Sequence, residues 1–94
     1  MLLHVTHKHS YETCPLSDDD PANTLERLDQ IMHGADGVRV IGSWVNGPAH
    51  EGYMVLDADD FVDVHRLLAP IAARGEVITV PITEFQSLQD LTTQ

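Results

Sequence analysis

His7 and His9 stand two residues apart, Cys14 follows five positions later, and His50 brings the same chemistry back in mid-chain. On an extended strand, residues i and i+2 point to one face, so two imidazoles there can converge on one ion. A turn after His9 is enough to fold the Cys14 thiol back toward them. His50, at a hairpin tip or the start of the next strand, can supply a fourth ligand. Imidazole and thiolate suit Zn²⁺, Ni, Cu or Fe, whereas Mg²⁺ and Ca²⁺ prefer oxygen. The spacing His-x-His-x4-Cys matches no strict zinc-finger pattern. The same residues also fit surface histidines at a strand end, with Cys14 a small buried hydrophobe. His4 falls on the opposite face of a regular strand.

A second chemistry needs no metal. Histidine titrates near neutrality and can shuttle a proton when it lines an apolar cavity. His50 and Tyr53 form the candidate catalytic pair, suited to isomerisation or cofactor-free oxygenation of a small apolar or aromatic compound. They lie three residues apart, so alternation puts them on opposite faces unless the strand kinks at Gly52. Otherwise Tyr53 is a core aromatic with its hydroxyl at the rim. Trp44, the only tryptophan, fits either a cavity wall or an interface anchor. No Gly-x-Gly-x-x-Gly, P-loop or Gly-x-Ser-x-Gly occurs, which leaves nucleotide binding and serine hydrolysis without support.

The elements that position these residues follow from local pattern. Residues 2–9 form a first strand and residues 10–20 a loop rich in turn formers. Asp20 and Pro21 start a helix, Asp as cap and Pro at the first helical position. Leu25, Leu28, Ile31, Met32 and Ala35 make its apolar stripe, and Gly34 or Gly37 ends it. Residues 38–46 and 51–57 form a hairpin around Asn46-Gly47-Pro48. Asp57 to Asp60 caps a second helix with the stripe Phe61, Val64, Leu67, Leu68 and Ile71. Pro70 bends or ends that helix, and Gly75 stops it. Residues 76–83 are the fourth strand, where Pro81 requires an edge or a bulge. Residues 86–94 form a polar C-terminal extension. Both acidic runs, Asp18 to Asp20 and Asp57 to Asp60, are explained by capping and the helix dipole.

The order β-α-β-β-α-β predicts an α+β, ferredoxin-like fold: a four-stranded antiparallel sheet with two helices on one face. Ile78, Val80 and Ile82 are expected on the helix side of strand four, with Val77, Thr79 and Phe85 opposite. On strand two, Val38, Val40 and Trp44 share one face, with Ile41 and Val45 on the other. Both faces of these strands are apolar, so a two-fold homodimer with facing sheets is expected.

With this order, the opening His4-Val5-Thr6-His7-Lys8-His9, the segment Glu12-Thr13-Cys14-Pro15, the central Pro48-Ala49-His50-Glu51-Gly52-Tyr53 and Asp57-Ala58-Asp59-Asp60, the chain resembles the dimeric α/β-barrel superfamily over nearly its whole length. That superfamily includes muconolactone isomerase-like proteins and antibiotic-biosynthesis and haem-degrading monooxygenases. The closer likeness is to a small uncharacterised bacterial subgroup of it. The resemblance implies the fold and the dimer, and says little of activity, since this fold hosts many chemistries. A haem-degrading relative would offer a helical histidine as axial ligand. His65 lies on the second helix, but strand one carries no obvious Asn.

Ninety-four residues make one domain, 1–94. Lys and Arg number 5 against 15 Asp and Glu, a formal charge of -10. Nucleic acid needs a basic footprint, and an anionic membrane surface would repel this chain. No apolar run approaches the about 20 residues of a membrane span. Met1-Leu2-Leu3-His4 turns polar too soon for a signal peptide. A single cysteine excludes an internal disulfide. The expectation is a cytoplasmic homodimer that binds a transition-metal ion through His7, His9, Cys14 and His50. The alternative is a metal-free enzyme or binding module for a small apolar molecule.

Overall fold

The computed structural model describes residues 1–92 and is an α+β fold. Strands β1 (Leu2–His9), β2 (Val38–Asn46), β3 (Glu51–Ala58) and β4 (Gly75–Ile82) form one antiparallel sheet in the order β2-β3-β1-β4. Helix α1 (Pro21–Met32) connects β1 to β2, and α2 (Phe61–Ala72) connects β3 to β4. Pro81 lies on β4, which pairs only with β1, so its missing N–H faces a sheet edge. Asp20 and Asp60 cap the two helices through Asn23 N–H at 3.2 Å and Val62 N–H at 2.9 Å.

The core lies between the sheet and α2. Val64, Leu67, Leu68 and Ile71 of α2 are buried against Leu3, Val5, Met54 and Leu56. Burying each such side chain contributes about 1.5–3 kcal/mol. Pro70 lies in the last turn of α2, where, lacking an N–H, it forgoes one i→i−4 hydrogen bond, and the helix ends two residues later. Helix α1 behaves differently. None of its residues is buried, although Leu28, Ile31 and Met32 touch the core edge. It stands off the sheet.

The sheet reverses two expected facings. On β4, Val77 pairs with His7 and Thr79 with Val5, so this pair faces the helices. Ile78, Val80 and Ile82 face away and are 50%, 43% and 38% exposed. Both faces of the strand are apolar, so periodicity could not choose between them; pairing with β1 does. On β2 a bulge at Ile41 separates Val40, opposite Leu56, from Gly42, opposite Val55. The extra residue shifts the alternation. Trp44 therefore pairs with Tyr53 on the open face and does not share a side with Val38 and Val40.

Residues 86–92 of the expected polar extension form a helix, α3 (Phe85–Thr92), which also takes Phe85 away from the strand-four face expected for it, since β4 ends at Ile82. Phe85, Leu88 and Leu91 recur every three residues along it and all stay exposed. Residues 93 and 94 lie outside the described residues. Among the described residues no helix is long and apolar enough to cross a membrane.

Candidate metal centre

The C-terminal end of β1 delivers His7 and His9 to the helix side of the sheet, in line with the buried Leu3 and Val5. The β2–β3 hairpin delivers His50 to the same place. Its turn is closed by His50 N–H donating to the Gly47 carbonyl at 3.0 Å and by Ala49 N–H donating to Asn46 Oδ1 at 3.3 Å. The His50 carbonyl accepts from His9 N–H at 3.1 Å, which ties the hairpin tip to the end of β1. His50 has φ 54°, in the left-handed region. That conformation costs a non-glycine residue about 1 kcal/mol or more and persists only where the surroundings enforce it.

Cys14 reaches the site from the loop after β1 and is buried, with 8% exposure. Ser10 and Thr13 bond each other across that loop, and Pro15–Ser17 form one 3-10 turn. Ligand atoms of His9, Cys14 and His50 all lie within 4.8 Å of one another. The His9 and His50 rings meet nearly edge-on, 75° apart with centroids at 5.3 Å. His50 Nδ1 is buried with no hydrogen-bond partner among the described residues, a state that costs about 1–3 kcal/mol when nothing compensates it.

His7 stands behind this group. Its Nδ1 lies 3.1 Å from the Glu76 carbonyl, and its Nε2 lies 3.1 Å from His9 Nδ1. A carbonyl only accepts, so His7 Nδ1 carries a proton and its Nε2 a lone pair. His9 Nδ1 must then donate to that lone pair, which leaves the lone pair of His9 on Nε2. Both histidines titrate below the ordinary value of 6.5. Burial is the main cause for each. Arg74 adds repulsion at His7, and His7, His50 and Arg74 add it at His9. At neutral pH both rings are therefore neutral, the form that binds a metal or accepts a proton.

Arg74 and Asp18 are members of the site that sequence reasoning missed. Arg74 follows α2 and grips Asp18 with both terminal nitrogens, at 3.0 and 2.7 Å, while Nη1 also donates to the Thr13 carbonyl at 3.3 Å. Thr24 of α1 donates to the same Asp18 carboxylate at 2.7 Å. Asp18 is thus a loop anchor and not a cap; only Asp20 of that run caps α1. Likewise Asp57 pairs with Arg39 and the chain's amino terminus, so only Asp60 of the second run caps α2. The one sequence hint for this pair was an arginine in a chain with few cations.

These bonds hold the Asp18 carboxyl down at about 2, with the Arg74 and Thr24 hydrogen bonds as the leading causes. A depressed folded-state value stabilises the fold fully above about pH 4 and loses that effect as pH falls toward the folded value. Asp18→Asn should therefore melt below the unsubstituted protein at pH 7, and the gap should close by about pH 2. Melting curves across that range check it; a gap independent of pH would mean the carboxylate charge is not what anchors the loop.

The remaining candidates lie elsewhere. Tyr53 is on the open face of the sheet, paired with Thr6 and Trp44, and its hydroxyl donates to Glu51. Gly52 stays in register with both His7 and Val45, so no kink brings Tyr53 to His50. His4 is on the open face between Val55 and Val80, and His65 is exposed on α2.

Among solved structures, a protein from Streptomyces coelicolor A3(2), SCO4226, is similar in fold, with a TM-score of 0.51 and 15% identity. The match covers 89% of this chain and 100% of that one. No curated protein matches the sequence significantly. The family model described as a domain of unknown function, DUF3303, matches residues 1–94, and the chain belongs to that family.

Proposed function

We propose that this protein binds one transition-metal ion, Zn²⁺, Ni, Cu or Fe, through His9, Cys14 and His50, with His7 orienting His9. The observation that carries this reading is the convergence of three soft or borderline donors from three separate segments to within 4.8 Å. A bound Zn²⁺ holds such donors about 3.5 Å apart, so the shift needed to close on an ion is about an ångström. An ion at His50 Nδ1 would also satisfy a buried atom that has no hydrogen-bond partner among the described residues. The experiment is metal analysis of untagged protein incubated with Zn²⁺, Ni²⁺ and Cu²⁺. One equivalent, absent from the His9→Ala/Cys14→Ser/His50→Ala variant, supports the reading, and no uptake by the unsubstituted protein refutes it.

His7 acts through His9 in this scheme. Partners behind a ligating histidine are worth about 10–100-fold in affinity. His7→Phe should cost about tenfold in Zn²⁺ affinity while the Co²⁺ spectrum keeps the same donor set. A change of donor set would make His7 a ligand in its own right.

A second reading keeps the same residues without an ion. The hydrogen-bonded His7–His9 pair, neutral and beside an apolar cleft, is suited to take a proton from a small apolar molecule. A metal-free protein that stays metal-free after incubation would favour it.

We further propose a homodimer, in the reducing cytoplasm, built on the open sheet face. Trp44 on one edge strand and Ile78, Val80 and Ile82 on the other are all exposed there, and exposed apolar surface of this kind marks interfaces. Light scattering at micromolar concentration should give twice the 10.4 kDa chain mass. A monomer would sink this assembly.

A further inference from the structure

The cleft beneath α1 brings the ligand residues together with a largely apolar wall. It measures about 540 Å³, within the range of small-molecule sites. His9, Cys14 and His50 line it together with Leu28, Met32 and Met54. It exists because the apolar stripe of α1 is only partly buried at the core edge, whereas α2 buries four residues. Methionines lend such a wall adaptability.

We propose that this cleft takes an organic molecule with an uncharged apolar body and a single anionic donor group, which completes the coordination of the ion. The proposal rests on the metal reading above and names the ligand class of that site. Three protein ligands leave a tetrahedral ion one open position, the arrangement of catalytic rather than structural zinc. Two neutral imidazoles and one thiolate on a divalent ion leave a net single positive charge. One anionic donor neutralises it, which an apolar cleft favours. The other cation at the cleft is already engaged, since Arg74 spends both terminal nitrogens on Asp18. That pairing offsets the Arg74 charge and weakens it as a second anchor for an anion. Asp29 of α1 also lines the cleft and repels a second negative charge, so dicarboxylates and phosphates fit poorly.

The test uses the full chain loaded with Co²⁺, whose visible bands report its coordination, and 4-phenylbutanoate as the probe against acetate. The bands should shift with both acids, with 4-phenylbutanoate saturating at about tenfold lower concentration or less because its apolar body is buried. Leu28→Trp should erase that preference while Co²⁺ uptake stays unchanged. If that variant does not fold by circular dichroism, Met32→Trp fills the same space. Equal potency of the two acids, no band shift, or binding of 4-phenylbutanoate by the metal-free protein as tight as by the Co²⁺ form would each overturn the proposal. Absence of Co²⁺ uptake would instead overturn the metal reading, and this proposal with it.

Discussion

His50→Ala is expected to lower Zn²⁺ affinity by about 100-fold or more, from an even share of the binding energy of a four-ligand site. The substitution removes one of three protein donors and lets the hairpin tip lose its hold on the ion. Its backbone needs separate treatment, because His50 is at φ 54° and alanine is no more comfortable there. His50→Gly resolves the ambiguity. Glycine relieves the left-handed strain, so that variant should be at least as stable as the alanine one and bind metal as poorly. Competition against a coloured chelator gives the affinities. His65→Ala, on the exposed side of α2, should bind like the unsubstituted protein. If His50→Ala does so too, the hairpin contributes no ligand and the proposed centre is wrong.

Leu56→Ala should be the most damaging single truncation for the fold. Leu56 is 0% exposed and lies between Leu3 on β1 and Val40 on β2. Truncating a buried leucine costs about 3–5 kcal/mol, through lost transfer energy and the cavity left behind. A domain of this size has a total stability of about 5–14 kcal/mol. The melting temperature should fall by about 15 °C or more, measured at one fixed protein concentration because assembly adds to apparent stability. Val45→Ala is the contrast: Val45 is 84% exposed, and its loss should change stability by about 0.5 kcal/mol at most. A small effect at Leu56 would mean that the core is not where α2 meets the sheet.

Much of this fold could be read from pattern. Strands 2–9 and 38–46 have the expected bounds because charged or turn-forming residues flank β-rich runs. Asp20-Pro21 marks the start of α1 because cap and first-turn chemistry are local. The facing of β4 was not legible. Its two sides are similarly apolar, and only the partner strand decides between them. The bulge at Ile41 was hidden for a related reason: an extra residue leaves no trace in a strand that is apolar on both sides. Helix α3 was missed because three apolar residues in a polar segment look weak until their spacing is counted.

At the site, the sequence pointed to the donors but not to their division of labour. His7 and His9 share a face as strand geometry requires. Which of them is free to face the proposed ion depends on the carbonyl of Glu76, almost seventy residues away in the chain. Cys14 looked the least constrained candidate because it sits on a loop, yet Arg74 and Thr24 fix that loop through Asp18. Such a contact is tertiary and has no local signature.

The bulge on β2 has a consequence for how this chain can diverge. Without Ile41, Val40 would run directly into Gly42 with every later pairing to β3 preserved. Position 41 is therefore a place where the gene can lose or regain one codon without turning the strand over. Ser43 would still stand on the helix side of the sheet, opposite Met54, and Trp44 on the other side, opposite Tyr53. Loss or gain of a single residue almost anywhere else in that strand would exchange the two sets of side chains. Length variation among descendants should collect at this point, as a tolerated scar beside a strand whose inner face cannot change hands.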